Sequence, residues 1–380
     1  MVTLANNLLS IKSLSGSGTK SEFNYVWLRD NCPCSECFHP DTHERTLVTA
    51  TIPENIAPKS ANINDSVLEI IWNENNHRSE YDLDWLRQHD TSQTFYSDDP
   101  AQGEMTLWGN ELQDSIPTYD YTDLRTNDEI LLAWCEAIRD IGLAIVRGAP
   151  LEEGEIERFA DHVACVREVI YDRLHNVRAT PGAYNAYNVA STSLELKPHT
   201  DMPNYNNPPG VQMFHFLVNE TEGGMSTAVD GFHVAAQLKQ QDPEAYDVLT
   251  KVAVPFRMFS SRGDVYSANP MLTLDCSGAL KVFRYSNQLA QTLNISTSQM
   301  DDFYRAYRKL GKLVEASENM VKFRLNSGDM MATNNLRVMH GRTAYDALTG
   351  DRHLQLSYMD YDDVLSRIRM IKKARKHGKS

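Results

Sequence analysis

The chain has 380 residues, of which 41% are hydrophobic and 23% charged, and its formal net charge at pH 7 is −14. This composition is ordinary for a globular protein, and the length predicts about two domains. The negative charge would repel nucleic acid and anionic lipid, so neither is an expected partner. No apolar run approaches the roughly 20 residues that span a bilayer, and the first residues lack a basic and then apolar leader. We therefore expect a cytoplasmic protein with no membrane partner.

Residues 1–115 are expected to form a small β-rich domain. Polar turns separate short β-prone runs, which are NYVWL, TLVTA and SVLEIIW. The turn-rich stretch YSDDPAQGEM precedes a change of pattern at SIPTYDYTD. We therefore place the domain boundary near residue 115.

A cysteine cluster in this first domain predicts a metal site. Cys32, Cys34 and Cys37 form a C-x-C-x-x-C motif on a proline-containing loop. Three such thiolates suit a structural, tetrahedral zinc ion that takes a fourth ligand from elsewhere. Sequence spacing favours His39 or His43 as that ligand. A redox dithiol is the alternative, but the motif lacks a thioredoxin-like setting.

Residues 116–380 are expected to combine many strands with a few helices. A helix is predicted between an N-cap at Thr126 and a stop at Gly142, and two more in EIERFADHVACVREV and QMDDFYRAYRKLGKLVEA. The predicted strands are GLAIVRG, GVQMFHFLV, KVAVPFRMF, VKFRL and HLQLSYMDY. Because strands dominate and do not alternate regularly with helices, we predict a mainly β fold, an antiparallel sandwich or jelly roll with flanking helices.

The C-terminal segment RIRMIKKARKHGKS is basic. Such a segment is typical of a solvated helix face or a frayed tail. A role in contacts of a homodimer is the alternative, and a homodimer is the oligomeric state that we expect.

The segment PHTDMP contains the first candidate ligands of a second metal site, His199 and Asp201. On an extended strand, residues i and i+2 point to the same side, so the imidazole and the carboxylate can reach one ion. Iron(II) oxygenases use two histidines and one carboxylate, and His340 in VMHGRTAY can supply the third ligand. Arg352, at the start of a later strand, can clamp a carboxylate with two hydrogen bonds. A hydrolytic zinc site or a structural histidine pair is the alternative, although catalytic zinc more often takes three histidines or two histidines and a glutamate.

Together these motifs resemble the TauD/TfdA superfamily, and more closely the γ-butyrobetaine hydroxylase and trimethyllysine hydroxylase family. The matching stretches are YNVASTSLELKPHTDMP, NPPGVQMFHFLVNETEGG, VDGFHVA, NSGDMMATNNLRVMHGRTAYD and RHLQLSYMDYDDVLSRIR. The resemblance implies a double-stranded β-helix (jelly roll) over residues 116–380 and a small β-rich, zinc-binding N-terminal domain. It also favours His77 as the fourth zinc ligand.

The resemblance further implies an iron(II)- and 2-oxoglutarate-dependent dioxygenase that uses O2 to hydroxylate an sp3 carbon of a small molecule. It assigns the iron to His199, Asp201 and His340. It places the 2-oxoglutarate anchor at Arg352 and a hydroxyl near the cosubstrate at Ser226. Arg342 is the next candidate for the anchor.

The substrate is expected to be a small zwitterion or amino-alkyl anion of betaine, amino acid or aminoalkylphosphonate type. Aligned on HTDMP, the positions of the family's aromatic cage hold Leu174, Arg178, Ser191 and Met202, so γ-butyrobetaine is expected to be a poor substrate. Candidate substrate contacts are Asn188, Asn287, Tyr358, Arg178, Ser191, Met202, Tyr184 and Tyr205. The alternatives are a γ-butyrobetaine hydroxylase that makes carnitine, a catalytically inactive binding or sensor module on the same fold, and a metallohydrolase.

Overall fold

The computed structural model describes residues 2–12, 14, 20–90, 99–179, 192–376 and 378. The chain divides into two compact units, Met1–Asp99 (unit 1) and Pro100–Ser380 (unit 2). The boundary that we predicted near residue 115 lies inside unit 2, because Trp108 and Leu112 are buried in a hydrophobic core of that unit.

Unit 1 contains two three-stranded antiparallel sheets and two short helices among its described residues. Its strands and helices are β1 (Val2–Ala5), β2 (Leu8–Lys12), β3 (Lys20–Asn24), α1 (Tyr25–Asp30), β4 (Pro58–Asn64), β5 (Val67–Trp72), β6 (Arg78–Asp82) and α2 (Leu83–Gln88). On β5, every second residue is buried, so Leu68, Ile70 and Trp72 enter one core.

Two of the three strands predicted for this unit are wrong. NYVWL begins helix α1, because the Asn24 side chain accepts a hydrogen bond from the Val26 N–H at 2.9 Å and caps the first turn. TLVTA forms no strand, since it ends in a short 3-10 turn and leaves Val48 62% exposed. The prediction for SVLEIIW is confirmed as β5.

Unit 2 is built around a six-stranded and a four-stranded sheet. Its first eight strands are β7 (Thr118–Asp120), β8 (Leu143–Arg147), β9 (His175–Ala179), β10 (Leu196–His199), β11 (Val211–Asn219), β12 (Glu222–Gly223), β13 (Ser226–Asp230) and β14 (Ala253–Ser260). The others are β15 (Gly263–Pro270), β16 (Leu272–Leu274), β17 (Leu280–Phe283), β18 (Met320–Phe323), β19 (Met330–Asn334), β20 (Val338–Arg342), β21 (Tyr345–Asp346) and β22 (Arg352–Met359).

The strand order is β7-β8-β19-β11-β22-β9 in the larger sheet and β10-β20-β13-β18 in the smaller. Every pair in these sheets is antiparallel except β7 with β8. Side chains of both sheets share one core, in which Phe214 and Leu354 of the larger sheet lie with Ala228 and Val321 of the smaller. The predicted fold class, a jelly roll with flanking helices, is confirmed.

Helices cover the sheets of unit 2. They are α3 (Tyr121–Thr126), α4 (Asp128–Asp140), α5 (Glu155–Val163), α6 (Gly231–Gln241), α7 (Pro243–Lys251), α8 (Thr297–Glu315) and α9 (Tyr361–Lys376). The N-cap predicted at Thr126 is one residue early, because the side chain that caps α4 is that of Asn127.

The basic C-terminal segment lies on α9 as far as Lys376, and this helix packs one face into the core through Val364, Ile368 and Ile371. Among the described helices of the chain, none combines the length and the apolar composition that a membrane span requires.

Candidate active site

A cavity lies between the two sheets of unit 2. It encloses about 1020 Å³ when its solvent-filled mouth is counted, and its walls come from β10, β13 and β20 of one sheet and β11, β19 and β22 of the other. Of the site residues predicted from sequence, it brings together His199, Asp201, Met202, Ser226, His340, Arg342, Arg352 and Tyr358.

Strand pairing places the candidate iron ligands side by side. His199 ends β10 and lies directly opposite His340 on β20, with 4.4 Å between the ring centroids. Asp201 follows two residues later, and its Oδ1 lies 3.3 Å from His199 Nε2. One ligand atom from each of the three side chains lies within 4.8 Å of the others. The three donors can therefore reach a single ion.

Hydrogen bonds orient these donors. His199 Nδ1 donates to the Lys197 carbonyl at 2.9 Å, which leaves the Nε2 lone pair for a metal. The other carboxylate oxygen of Asp201, Oδ2, accepts from the Tyr358 hydroxyl at 2.8 Å and from Gln212 Nε2. Sequence reasoning missed Gln212, since only the pairing of β11 with β22 reveals that it lies next to Tyr358.

The Asp201 and His340 side chains have the charges that iron(II) ligands need. Burial alone would lower the pKa of His199, but its hydrogen bond to Asp201 and the charge of that carboxylate together raise it. Burial alone would raise the pKa of the Asp201 carboxyl, but hydrogen bonds from His199 and Tyr358 and the nearby imidazole rings hold that pKa below its usual range. Burial lowers the pKa of His340 to about 3, so its imidazole stays neutral and can donate a lone pair. Two neutral imidazoles and one carboxylate are the donor set of non-haem iron(II) oxygenases.

Two buried arginines occupy the cavity without an acidic partner among the described residues. Arg352 is 6% exposed, and its guanidinium donates no hydrogen bond to any described residue. Burial and the charge of Arg342 lower the pKa of Arg352 to about 10. Among the guanidinium nitrogens of Arg342, Nη2 alone donates hydrogen bonds to described residues. Its acceptors are the carbonyls of Thr192 at 2.9 Å and Leu194 at 2.7 Å. Buried cations of this kind require an anion, so the residues fit one carboxylate of a dicarboxylic acid.

Aromatic and thioether groups form another part of the cavity wall. Tyr171, His175 and Met258 lie there with Tyr358 and Met202. The rings of Tyr171 and His175 are 4.6 Å apart, and burial lowers the pKa of His175. Sequence reasoning missed Tyr171 and His175 as residues of the cavity wall. Strand pairing reveals His175, because it lies opposite Leu356 on β22 and Leu356 also lines the cavity.

The structure does not place Arg178 in the cavity. On β9, Val177 faces the core, so Arg178 faces the opposite side, where its side chain is 57% exposed and pairs with Glu153. Leu174 packs against the helical core instead. The interpretation of these two residues as pocket-lining is therefore wrong.

Apart from Met202 and Tyr358, which line the cavity, the remaining substrate candidates lie away from the cavity walls or outside the described residues. The Tyr205 hydroxyl accepts from the Ile170 N–H at 3.1 Å. Asn287 is exposed, and its Oδ1 accepts from Tyr307. The predictions for Asn188, Ser191 and Tyr184 fall outside the described residues.

A second candidate metal site lies in unit 1. The Sγ atoms of Cys32, Cys34 and Cys37 lie 3.3, 3.6 and 3.6 Å from His77 Nε2. Ligands of a tetrahedral zinc ion, at about 2.0–2.3 Å from it, lie about 3.5–3.8 Å apart, so the four atoms fit zinc. His39 is turned into its own loop, where Nδ1 accepts from the Asp41 and Thr42 N–H groups.

Neighbouring donors support this thiol cluster. Arg29 Nη1 donates to Cys37 Sγ at 3.3 Å, and the Ser79 hydroxyl donates to Cys32 Sγ at 3.0 Å. Such hydrogen bonds stabilise negative charge on sulfur and hold the side chains in place.

Two families match the chain. Taurine catabolism dioxygenase TauD, TfdA family, matches residues 99–358, and Gamma-butyrobetaine hydroxylase-like, N-terminal, matches residues 5–96. Gamma-butyrobetaine dioxygenase from Pseudomonas sp. (strain AK-1) is 35% identical over 358 residues, which cover 94% of this chain and 92% of that protein. Mitochondrial trimethyllysine dioxygenase from Mus musculus is 31% identical over 366 residues, with coverage of 94% and 85%.

A solved structure shows the same fold. The taurine dioxygenase from Burkholderia xenovorans superposes with a TM-score of 0.51 at 13% identity and covers 68% of this chain and 91% of its own.

We predict that Cys34→Ser removes the zinc from unit 1, because it replaces one of four ligands. Elemental analysis should find about one zinc per wild-type chain and almost none in the variant, whose melting temperature should fall. Cys276→Ser, at an exposed cysteine, is the matched control and should change neither value. His77→Ala should behave like Cys34→Ser, and His39→Ala like the control. A zinc-free wild-type chain of full stability would contradict this assignment.

Proposed function

Because the chain belongs to the taurine catabolism dioxygenase TauD, TfdA family and is an iron(II)- and 2-oxoglutarate-dependent dioxygenase, we propose that His199, Asp201 and His340 hold its iron. Arg352 then anchors 2-oxoglutarate, with Arg342 and Ser226 beside it. The observation that carries this proposal is the convergence in one cavity of three ligand side chains and two buried guanidiniums that have no acidic partner among the described residues.

The chain's own residues bind the reactants, orient them and exclude water. When bound, iron and 2-oxoglutarate supply the oxidising chemistry, in which O2 and 2-oxoglutarate are consumed while succinate, CO2 and a hydroxylated product form. Arg352 takes the carboxylate that lies away from the metal, which fixes the orientation of the cosubstrate. Phe214, Phe216 and Leu354 line the cavity and limit the access of water to the reacting groups.

The cavity wall favours a substrate with a quaternary ammonium group. Among the described residues that line it, Asp201 is the one carboxylate, and it is occupied as a ligand. A primary ammonium would lose hydration without gaining a free carboxylate from the described lining residues, whereas a quaternary ammonium has no N–H to satisfy and is attracted by aromatic faces. Tyr171 and Tyr358 offer such faces.

We therefore propose a small betaine as substrate, hydroxylated at an sp3 carbon. The expectation that γ-butyrobetaine is a poor substrate depended partly on Leu174 and Arg178, which lie outside the cavity. Two similar proteins, a gamma-butyrobetaine dioxygenase and a trimethyllysine dioxygenase, are named for substrates of this class. The cytoplasmic location and the homodimer stay predictions.

His199→Ala and Asp201→Ala should each reduce succinate formation to background, because each removes one of three iron ligands. Succinate is measured at limiting iron, and circular dichroism checks the fold. His162→Ala, on helix α5, serves as a control and should retain wild-type turnover. Wild-type succinate formation by either ligand variant would overturn the iron assignment.

Arg352→Ala should raise the 2-oxoglutarate concentration for half-maximal turnover roughly 10- to 150-fold, since a charge-assisted interaction of about 1.5–3 kcal/mol is lost. Arg178→Ala, at an exposed arginine on the neighbouring strand, is the matched control and should leave this concentration unchanged. If the two variants responded equally, Arg352 would not be the anchor.

Quaternary ammonium compounds should support coupled turnover better than primary amines. Succinate and hydroxylated product are measured with γ-butyrobetaine, trimethyllysine, 2-aminoethylphosphonate, its trimethylated form and taurine. Tyr171→Leu should raise the KM of the best betaine roughly 2- to 30-fold, the loss of one cation–π contact of about 0.5–2 kcal/mol. Tyr266→Leu, at an exposed tyrosine, is its control. Faster coupled turnover of taurine or 2-aminoethylphosphonate would contradict the substrate proposal.

A further inference from the structure

The Asn335 side chain connects segments that carry the three candidate iron ligands. Asn335 is 1% exposed and lies between β19 and β20. Its Oδ1 accepts from the Asp201 N–H at 2.7 Å, and its Nδ2 donates to the Asp201 carbonyl at 2.9 Å and to the Pro209 carbonyl at 3.0 Å. The amide thus holds both backbone polar groups of Asp201.

Asp201 needs such support because it lies beyond the end of a strand. β10 ends at His199, so the ladder that aligns His199 with His340 does not extend to Asp201. Thr200 is held separately, since its N–H donates to the Tyr285 carbonyl at 2.8 Å. The two hydrogen bonds between the Asn335 side chain and the Asp201 backbone take the place of the missing ladder at Asp201.

Asn335 also holds the backbone that leads into β20, the strand that carries the third candidate ligand, His340. The Asn335 N–H donates to the Gly210 carbonyl at 2.9 Å, and β20 with His340 begins shortly after it. Gly210 is closely packed, because a Cβ there would lie 2.3 Å from the Tyr361 nitrogen. Asn335 therefore sits where the turn with Asp201, the start of β11 and the start of β20 meet.

We propose that Asn335 is a positioning residue that sets the spacing between the His199–Asp201 pair and His340 and thereby the metal affinity of the site. This inference rests on the proposed function, because it takes these three residues as the ligands. Residues that orient metal ligands typically change metal affinity about 10- to 100-fold when they are replaced. Asn335 is not among the described residues that line the cavity, so we expect its effect to be on metal retention.

Asn335→Asp tests this role with little change in shape. The carboxylate keeps the acceptor for the Asp201 N–H but turns an oxygen toward the carbonyls of Asp201 and Pro209, to which the amide donates. Asn335→Ala removes all three side-chain bonds. The matched control is Asn334→Asp, because the one described hydrogen bond of Asn334 Oδ1 is that from the nearby Leu336 N–H, at 3.1 Å.

The measurement is a titration of metal-depleted, zinc-retaining protein with Mn(II), with free Mn(II) followed by its electron paramagnetic resonance signal. The Mn(II) dissociation constant should rise about 10- to 100-fold in both Asn335 variants and stay within about twofold of wild type in Asn334→Asp. The increase in melting temperature on adding Mn(II) should shrink in parallel. Loss of stability with unchanged Mn(II) affinity would show a merely structural role and overturn the proposal.

His199→Ala, titrated in the same way, separates the two claims. If it binds Mn(II) as wild type does, the iron assignment fails and the inference falls with it. If it loses Mn(II) binding while Asn335→Asp keeps wild-type affinity, only the inference fails. If neither Asn335 variant folds, Asn335 is required for folding, and the proposal that it positions the metal ligands is rejected.

Discussion

The register between β10 and β20 is the constraint on which the site depends, because it sets His199 directly opposite His340. A slip of one residue would turn one imidazole to the other face of the sheet. β20 is also paired on its other side with β13, where Ser226 lies opposite Arg342. Since His340 and Arg342 are two residues apart on one strand, they face the same cavity. β20 pairs with β10 on one side and with β13 on the other, and it carries both a candidate iron ligand, His340, and a candidate cosubstrate contact, Arg342.

Burial gives these groups their chemistry and makes them costly to fold. Desolvation keeps His340 neutral. The buried guanidiniums of Arg342 and Arg352 have no acidic partner among the described residues. Uncompensated buried charge destabilises a fold, and a bound dicarboxylate offsets that cost because it binds only the folded state. We therefore expect occupancy by 2-oxoglutarate to stabilise unit 2. Hydrogen bonds from Gln212 and Tyr358 to Asp201 keep the carboxylate oriented in the same desolvated space.

Local patterns in the sequence predicted six of the 22 described strands and brought His199, Asp201 and His340 together as candidates. Features that depend on tertiary contacts could not be predicted in this way. NYVWL has strand propensity, but the Asn24 cap makes it a helix. The outward direction of Arg178 follows from how β9 pairs with β22, which no local pattern reveals. Asn335 bonds to Asp201 across 134 residues of sequence, and Gln212 reaches Asp201 only because β11 pairs with β22. The assignment of His77 required the family resemblance.

The binding of 2-oxoglutarate at equilibrium, measured by dialysis without O2, tests the central claim most directly. The cavity offers buried arginines for one carboxylate and a metal site for the opposite end, so both are needed for tight binding. We expect Mn(II) to strengthen binding of 2-oxoglutarate at least about tenfold in the wild-type chain and to have no effect in His340→Ala. Binding that is equally tight with and without Mn(II), or an undiminished Mn(II) effect in His340→Ala, would contradict the account.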